Sequence, residues 1–189
     1  MEINQAVEEA VKVLKEGGVI LYPTDTIWGL GCDATNPAAV EKIFQIKKRS
    51  DSKSVIILVN GLDMLYRYVK EVPEIADQLI EVSDQPLTII YPGAINLAFN
   101  VVAEDGSVGI RVCNHPFCQR LISRFRKPVV STSANISGEN FPLNFLSINK
   151  EIEDAVAWIA DPLLEEGSTG KPSSIIKLGL RGEVKVIRN

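Results

Sequence analysis

Two clusters of cationic and polar residues, about eighty residues apart, together have the chemistry of an anion-binding site. The first is Lys47-Lys48-Arg49, with Lys53 close behind, and the second is the run Ser131-Thr132-Ser133-Ala134-Asn135. Ammonium, guanidinium, hydroxyl and amide groups hold phosphate and carboxylate oxygens. The first cluster ends a predicted helix and the second ends a predicted strand, and functional loops often begin at such ends.

Each cluster also has an ordinary structural explanation. Cations in the last turn of a helix complement its dipole, and hydroxyls after a strand bond to nearby backbone. The formal net charge of -4 and the pI of about 5.2 are opposite to those of a protein that coats nucleic acid nonspecifically. Any anion site must therefore be a local concentration of cations.

Length and composition predict a single folded domain over residues 1–189. A chain of 189 residues with 46% hydrophobic residues can bury a substantial core without disulfides or structural metals. No stretch approaches the roughly 20 apolar residues of a membrane span, and the N-terminus lacks the pattern of a secretory signal. We therefore expect a soluble, cytoplasmic protein without a membrane partner.

Cysteine and histidine usage argues against several kinds of active site. Cys32, Cys113 and Cys118 form no C-x-x-C pair, so we expect buried free thiols and no metal site. His115 is the only histidine and precedes Pro116 at a predicted helix start, which favours a turn or capping role. Hydrolases with a Ser-His or Cys-His pair are therefore disfavoured.

The hydrophobic pattern predicts alternating helices and strands. Helices are predicted over 4–14, 37–49, 62–69, 73–82 and 116–125, and strands over 19–22, 55–59, 87–91, 97–102, 108–112, 129–131, 156–160, 174–178 and 184–188. The continuous apolar run of residues 55–59 should be a central strand. Several connections are too short for a crossover helix, so the sheet should be mixed. The sequence contains neither a P-loop motif nor G-x-G-x-x-G.

Residues 24–31 are predicted to form a shaped loop between the first strand and helix. Its glycines permit close backbone approach. Tyr22 and Trp28 are expected to pack in the core, although either could form a pocket wall. Asp25 is expected to anchor its own loop through a hydrogen bond to nearby backbone, the alternative being a magnesium-bound water.

Five short motifs in a fixed order give the sequence a family resemblance. They are Pro23-Thr24-Asp25-Thr26, Lys47-Lys48-Arg49, Pro92-Gly93, Arg111-Val112 and Ser133-Ala134-Asn135. From about residue 5 to its end, the chain resembles the single-domain form of the YrdC-like threonylcarbamoyl-AMP synthase family. The resemblance implies an α/β (α+β) fold of the YrdC/RibB-like type, in which a twisted mixed sheet flanked by helices surrounds a large concave basic cavity.

The resemblance also implies an activity. Family members are nucleotidyltransferases that condense L-threonine, bicarbonate or CO2, and ATP, with Mg2+, into threonylcarbamoyl-AMP and pyrophosphate. The product modifies tRNA through a tRNA threonylcarbamoyl transferase. We therefore expect ATP, threonine and bicarbonate as substrates, tRNA and the transferase as downstream partners, and a monomer or homodimer.

Site residues follow from the motif positions that match the family. The resemblance places Lys47, Arg49, Ser133 and Asn135 on ATP as catalytic and binding residues, Lys53 and Arg188 as further nucleotide contacts, and Thr24, Arg111 and Ser131 on threonine. An arginine suits the threonine carboxylate because its planar guanidinium binds two oxygens at once.

Several positions depart from the family pattern. Ser50 replaces a proline, Ala94 and Asn96 alter the segment after Pro92-Gly93, Phe141 replaces a phosphate-contacting hydroxyl, and Lys177 replaces an acidic residue. Two alternatives therefore stay open. One is a divergent paralogue without synthase activity, and the other is an RNA-binding module. The acidic charge and the 6% of aromatic residues count against RNA binding.

Overall fold

A nine-stranded mixed sheet with six α-helices forms the part of the chain described by the structure, a computed structural model that covers residues 2–48 and 55–189. The helices are α1 (Ile3–Lys15), α2 (Pro37–Ile46), α3 (Leu62–Leu65), α4 (Ile75–Val82), α5 (Pro116–Phe125) and α6 (Lys150–Ala155). The strands are β1 (Ile20–Tyr22), β2 (Gly29–Gly31), β3 (Ile56–Val59), β4 (Leu87–Tyr91), β5 (Val108–Val112), β6 (Val129–Ser133), β7 (Trp158–Ile159), β8 (Ser174–Leu178) and β9 (Val184–Arg188).

The sheet order is β7-β1-β2-β6-β3-β5-β4-β8-β9. β3 pairs parallel with β5 and antiparallel with β6, and β4 pairs antiparallel with β5 and parallel with β8. The prediction of a mixed sheet is therefore confirmed. β3 lies in the middle of the order, as its continuous apolar sequence predicts.

One face of the sheet is packed into the core. Ile57 is in register with Val130 and Ile110, and Ile110 is in register with Ile89. Partners across a pair of strands point to the same side, and all four side chains are buried. This row alone removes four large aliphatic side chains from water, each worth about 1.5–3 kcal/mol.

The opposite face carries the polar residues. Ser131 is in register with Ile56, and Ile56 with Gly109. Two residues further along β5, Arg111 is in register with Thr88 on β4. Because side chains alternate along a strand, these residues point away from the row that contains Ile57. We refer to this side of the sheet as the open face.

Helix α2 shows how local sequence fixes an element. The Asn36 side chain accepts hydrogen bonds from the amides of Ala38 and Ala39, and Pro37 occupies the first helical position. The start of the helix is thus as predicted. The end is not, because α2 stops at Ile46 and Lys48 adopts a positive φ of 52°. Lys47 and Lys48 therefore follow the helix rather than forming its last turn.

The 24–31 segment is not a loop throughout, because its last residues form β2 between β1 and β6. Glycine makes this close pairing possible. A Cβ on Gly31 would lie 2.5 Å from Cε1 of Tyr22 and 2.8 Å from the Val130 carbonyl oxygen. The Tyr22 side chain is buried, which confirms the expected core packing, whereas Trp28 is buried and also forms part of a cleft wall.

Other differences have tertiary causes. The predicted strand 97–102 is wrong, because the Ala98 amide bonds to the Ala34 carbonyl and the segment forms turns. The predicted helix 62–69 ends early as α3, and Val69 instead forms an isolated bridge with Ala94. Helix α6 was not predicted, although Asn149 caps it through the Glu151 amide. No helix within the described residues has the length and apolarity needed to cross a membrane.

Candidate functional site

A cleft of about 190 Å³ lies over the open face of the sheet. Arg111 and Arg188 contribute its cations, residues 131–133 contribute hydroxyls, and Trp28 and Phe141 contribute apolar wall. No carboxylate lines this cleft within the part of the chain that the structure describes. Its charge and hydroxyl groups suit an anionic ligand.

Arg111 is the most constrained cation of the cleft. It is 3% exposed, and its Nη2 lies 3.0 Å from Oδ1 of Asp25. The same nitrogen donates to the hydroxyls of Thr26 and Thr24, at 3.2 and 3.4 Å. Among the described residues, Asp25 Oδ1 accepts no aligned hydrogen bond, so its contact with Arg111 is mainly electrostatic. These contacts hold the guanidinium at the cleft wall.

The structure corrects the expectation that Asp25 anchors its own loop. Thr24 has that role, because its hydroxyl contacts Thr26 Oγ1, donates to the Ile27 carbonyl and accepts from the Thr26 amide. The Asp25 carboxylate instead pairs with Arg111 on a different strand. A buried guanidinium is a stronger partner for a carboxylate than a local amide, and sequence spacing alone does not show it.

Lys47 joins the two polar clusters that the sequence separates. Its Nζ donates to the carbonyls of Ser133 and Asn135, at 2.5 and 2.7 Å, and lies 3.5 Å from Oδ1 of Asn135. The Asn135 amide nitrogen donates to the carbonyls of Ile136 and Glu139. Lys47 and Asn135 thus shape the loop that follows β6, and Ser133 lies at the cleft wall. Arg49 and Lys53, both predicted as ATP contacts, lie outside the described residues.

The other two residues predicted to contact threonine, Ser131 and Thr24, lie at different distances from the surface of the cleft. Ser131 lines the cleft on β6, whereas Thr24 lies behind Thr26 and is 1% exposed. Thr26 itself lines the cleft. Sequence reasoning missed Thr26 as a site residue, although it belongs to the same Pro-Thr-Asp-Thr motif as Thr24.

Arg188 reaches the cleft from the edge strand β9. Its Nε and Nη2 both donate to the Ser173 carbonyl, at 2.9 and 2.8 Å. The Ser173 hydroxyl in turn shares a 2.8 Å hydrogen bond with Thr88 on β4. Burial lowers the pKa of Arg188 from its ordinary value, and the positive charge of Arg111 lowers it further. An anion between the two guanidinium groups would relieve their repulsion.

Residues 168–173 form a strap along one side of the cleft. The Ser168 hydroxyl donates to the Thr24 carbonyl, and the amides of Thr169 and Gly170 donate to the carbonyls of Asp25 and Thr26. The strap therefore follows the loop that holds Arg111 and ends at Ser173 in the cleft wall. The sequence shows this segment only as rich in glycine and hydroxyls, and its pairing is nonlocal.

The positions that depart from the family pattern have separate structural roles. Phe141 lines the cleft and is 39% exposed, whereas the Asn96 side chain donates to the Arg67 carbonyl. Lys177 pairs with Asp105, whose pKa is lowered to about 2 by that contact and by bonds from Ser107. Ala94 forms its bridge with Val69, and Ser50 is outside the described residues.

Among the described residues, the buried thiols and the single histidine do not line this cleft. All three cysteines are buried and free, as predicted. His115 occupies the N-cap position of α5, where its burial lowers its pKa. The backbone of Glu166 and Leu164 lies near the ring and raises its pKa, which opposes the larger effect of burial. Among the described residues, neither ring nitrogen forms a hydrogen bond of normal geometry. Within residues 2–48 and 55–189, no group of three or more acidic, cysteine or histidine residues could hold a metal ion.

The chain belongs to the Sua5/YciO/YrdC family, whose model, described as "Telomere recombination", matches residues 12–189. It is 34% identical over 187 residues to a threonylcarbamoyl-AMP synthase from Pseudoalteromonas translucida, covering 97% of this chain and 98% of the relative. A threonylcarbamoyl-AMP synthase from Vibrio vulnificus is 36% identical over 171 residues, or 89% of this chain and 91% of that one. The family resemblance inferred from the motifs is confirmed.

Solved structures show the same fold. Sua5 of P. abyssi, crystallised with L-threonine, superposes with a TM-score of 0.81 at 26% identity over 91% of this chain. This chain spans 50% of that Sua5 chain. YciO of E. coli has a TM-score of 0.81 at 24% identity, covering 98% of this chain and 89% of YciO. The predicted mixed sheet flanked by helices is confirmed.

Proposed function

We propose that this protein is an L-threonylcarbamoyladenylate synthase, which condenses L-threonine, bicarbonate or CO2, and ATP into threonylcarbamoyl-AMP and pyrophosphate. The observation that carries the proposal is the buried Arg111, held at the cleft wall by Asp25 and Thr26 and sharing the cleft with Arg188. The names of the curated relatives and the threonine complex of Sua5 support it.

Arg111 is the proposed partner of the threonine carboxylate. Its guanidinium can bind two carboxylate oxygens, and its Nε is buried without a hydrogen-bond partner among the described residues. Hydroxyls of Thr26 and Ser131 on the cleft wall would bind polar groups of the amino acid. Thr24 acts indirectly in this arrangement, because its hydroxyl supports the position of Thr26.

The reaction needs charge neutralisation more than a protein nucleophile. The threonine amine adds to CO2 and releases a proton to water, which gives a carbamate. One oxygen of the carbamate then attacks the α-phosphorus of ATP. A new P–O bond forms, the bond from the α-phosphorus to the α,β-bridging oxygen breaks, and pyrophosphate leaves. Cations and hydroxyls that are fixed before reaction stabilise the charge shared by the attacking and leaving oxygens. We assign this role to Arg49 and Ser133, with Lys53 and Arg188 as further nucleotide contacts, and Lys47 supports it by fixing the position of Ser133.

Asn135 and Lys47 would contribute chiefly by shaping the loop after β6. Their polar side-chain atoms already bond to loop carbonyls, so a phosphate would have to compete with those contacts. Among the described residues the Ser133 hydroxyl has no such commitment, and it lines the cleft where it can meet a phosphate oxygen directly. Nucleotide binding would therefore depend on the backbone position that Lys47 sets.

The described residues do not form a binding site for Mg2+ by themselves. Magnesium is usually held by one or two carboxylates together with substrate phosphates, and the Asp25 carboxylate is already paired with the cleft residue Arg111. We propose that magnesium enters as a complex with ATP. Downstream, we propose transfer of the product to tRNA by a threonylcarbamoyl transferase in the cytoplasm, with the synthase as a monomer or homodimer.

Pyrophosphate release by the purified protein tests the proposal. We expect release only when threonine, bicarbonate and ATP are all present, and threonylcarbamoyl-AMP should be detected by mass spectrometry. Arg111→Lys should reduce kcat/KM for threonine at least about tenfold, because an ammonium lacks the two-oxygen geometry. Arg124→Lys, which changes an exposed arginine on α5, is the matched control. Release that is independent of threonine, or no release at all, would refute the proposal.

Phe141 gives one reason to keep a second candidate, a paralogue that binds ligands without performing the synthesis. Its aromatic ring stands on the cleft wall where the family pattern has a hydroxyl, and a phenyl group cannot donate to a phosphate. Calorimetric binding of both ATP and threonine, without pyrophosphate release under any condition, would favour this candidate. Recovery of release in Phe141→Ser would show that the ring is the cause.

A further inference from the structure

A separate pocket of about 390 Å³ lies at one end of the sheet, where β4 begins at Leu87 and β5 ends at Val112. Val112 follows Arg111 on β5, so its side chain points to the side opposite the open face. Residues from the end of α4 and the start of α5 also line the pocket, and its described lining residues are all different from those of the cleft. Its volume is within the roughly 300–1,000 Å³ of a typical small-molecule site.

The charged groups of this pocket favour a cation. Its lining includes the carboxylates of Asp25 and Asp84 and the imidazole of His115, and neither lysine nor arginine is among the lining residues in the described part of the chain. The N-terminus of α5 opens on the same space, but Pro116 occupies its first position and has no N–H to donate to an anion. A pocket lined by charge of one sign concentrates ions of the opposite sign.

Two acceptors at the buried end of the pocket lack a donor. His115 is 3% exposed, and neither of its ring nitrogens forms a hydrogen bond of normal geometry with the described residues. Burial lowers its pKa, so the ring is mainly neutral at pH 7 and one nitrogen is an acceptor. Within the same described residues, Oδ1 of the buried Asp25 accepts no aligned hydrogen bond. Because an unsatisfied buried acceptor costs about 1–3 kcal/mol, this end of the pocket would bind a ligand that donates N–H groups.

The third acidic or imidazole group stands apart from these two. Asp84 is exposed at the rim, and the half-buried side chains of Ile80, Leu87 and Val112 provide apolar wall. The three groups do not converge on one metal ion, because no set of three such residues in the described chain could hold one. A ligand that contacts both the buried end and the rim therefore needs two cationic groups joined by an apolar chain.

We propose that this pocket binds a short alkyl diammonium ion. One ammonium group would donate to Asp25 and His115 at the buried end, where hydrogen bonds to a charged donor are strong. The methylene chain would contact Leu87 and Val112, and the second ammonium group would pair with Asp84 at the rim. A ligand with a single ammonium group would leave Asp84 without a partner.

Asp25 couples this pocket to the cleft, because its Oδ1 lies 3.0 Å from Nη2 of Arg111. An ammonium group beside Asp25 offsets part of its negative charge and leaves more of the positive charge of Arg111 for an anion in the cleft. The hydroxyls of Thr24 and Thr26 still accept from the guanidinium and keep it in place. We therefore expect the diammonium ion and threonine to strengthen each other's binding. This coupling rests on the proposed function, whereas the diammonium site does not.

Calorimetry with 1,4-diaminobutane and 1-aminobutane at low ionic strength tests the site, because the two amines differ by one ammonium group. Both should bind, and diaminobutane should bind about twofold to fivefold more tightly, which is the contribution of one exposed ion pair. Asp84→Asn should abolish this preference and change the affinity for aminobutane by less than about twofold. Asp154→Asn removes an exposed carboxylate on α6, outside the pocket, and is the matched control that should keep the preference.

Proton NMR reports on the buried end of the pocket, because His115 is the only histidine of the chain. Its ring resonances should shift and reach saturation as diaminobutane is added above about pH 7, where the ring is neutral. Unmoved resonances, equal affinities for the two amines in the wild-type protein, or the same loss of diaminobutane binding in both aspartate variants would overturn the site. These measurements contain neither ATP nor threonine, so their failure is distinct from failure of the proposed function, which pyrophosphate release decides.

Threonine titrations with and without saturating diaminobutane test the coupling. The diamine should tighten threonine binding about fivefold, at the lower end of ordinary coupling between two sites. Unchanged or weaker threonine binding in its presence would overturn the role of Asp25 as the link between the two spaces.

Discussion

The buried side chain of Lys47 holds the loop after β6 in place, although it is not itself exposed in the cleft. The residue is 3% exposed, and its ammonium bonds to two carbonyls of the segment that follows β6. Charged donors make stronger hydrogen bonds than neutral ones, so these contacts fix the loop more firmly than backbone bonds alone would. The Lys47 carbonyl also accepts from the Ser137 amide, which ties the same loop from its other side. The position of Ser133 in the cleft therefore depends on Lys47.

At the same scale, the sequence identified several cleft residues but could not assign their contacts. The motif positions Arg111, Ser131 and Ser133 all line the cleft. Ser173 was missed because its role depends on Thr88, which is 85 residues away in the chain. A hydrogen bond between two hydroxyls that are distant in the chain leaves no local signal in the sequence. The ends of strands do leave one, because the hydrophobic pattern stops there.

His115 provides a prediction at the level of a single group. Burial lowers its pKa from the ordinary 6.5, so a proton binds more readily to the unfolded chain than to the folded one. Stability from the neutral ring is therefore fully present above about pH 6.5 and decreases as the pH falls below that value. Because the chain has one histidine, its imidazole resonance in a proton NMR titration is unambiguous. We expect a midpoint below 6.5, and a midpoint at or above 6.5 would contradict the expected effect of burial.

Among the elements, the strap of residues 168–173 connects the edge of the sheet to the centre of the site. Its amides pair with the loop that contains Asp25 and Thr26, and its end is held by Arg188 from β9. Strands β8 and β9 were predicted with their correct bounds because alternation and apolar runs are local signals. The strap could not be predicted, since its partners lie more than a hundred residues earlier in the sequence.

Arg188→Lys separates two possible tasks of this side chain. Lysine keeps the positive charge but cannot donate two parallel hydrogen bonds to the Ser173 carbonyl. If Arg188 positions the strap, we expect about a tenfold loss of kcat/KM for ATP together with faster hydrogen exchange at the amides of Thr169 and Gly170. Arg181→Lys, at an exposed position between β8 and β9, is the control. Full activity and unchanged exchange in Arg188→Lys would show that charge alone is needed.

For the whole molecule, the division of the sheet into two faces gives an acidic protein a cleft lined by cations. The net charge is -4, yet the cleft is lined by two arginines and by no carboxylate among the described residues. Acidic residues lie instead at outer contacts such as Glu8 with Arg124 and Glu151 with Lys48. A negative exterior slows the approach of an anion, and low ionic strength would strengthen that effect.

The two faces of the sheet also predict which substitutions lower the stability of the fold. Ile57 is fully buried in the central strand β3, between Val130 and Ile110, whereas Val186 is 58% exposed on the edge strand β9. Ile57→Ala should lower the free energy of unfolding by about 2–5 kcal/mol, because it removes buried methyl groups and leaves a cavity. Val186→Ala should change it by less than about 1 kcal/mol, as expected for an exposed site. Urea denaturation of both variants measures the difference, and similar losses in the two would mean that the core does not lie on the Ile57 side of the sheet.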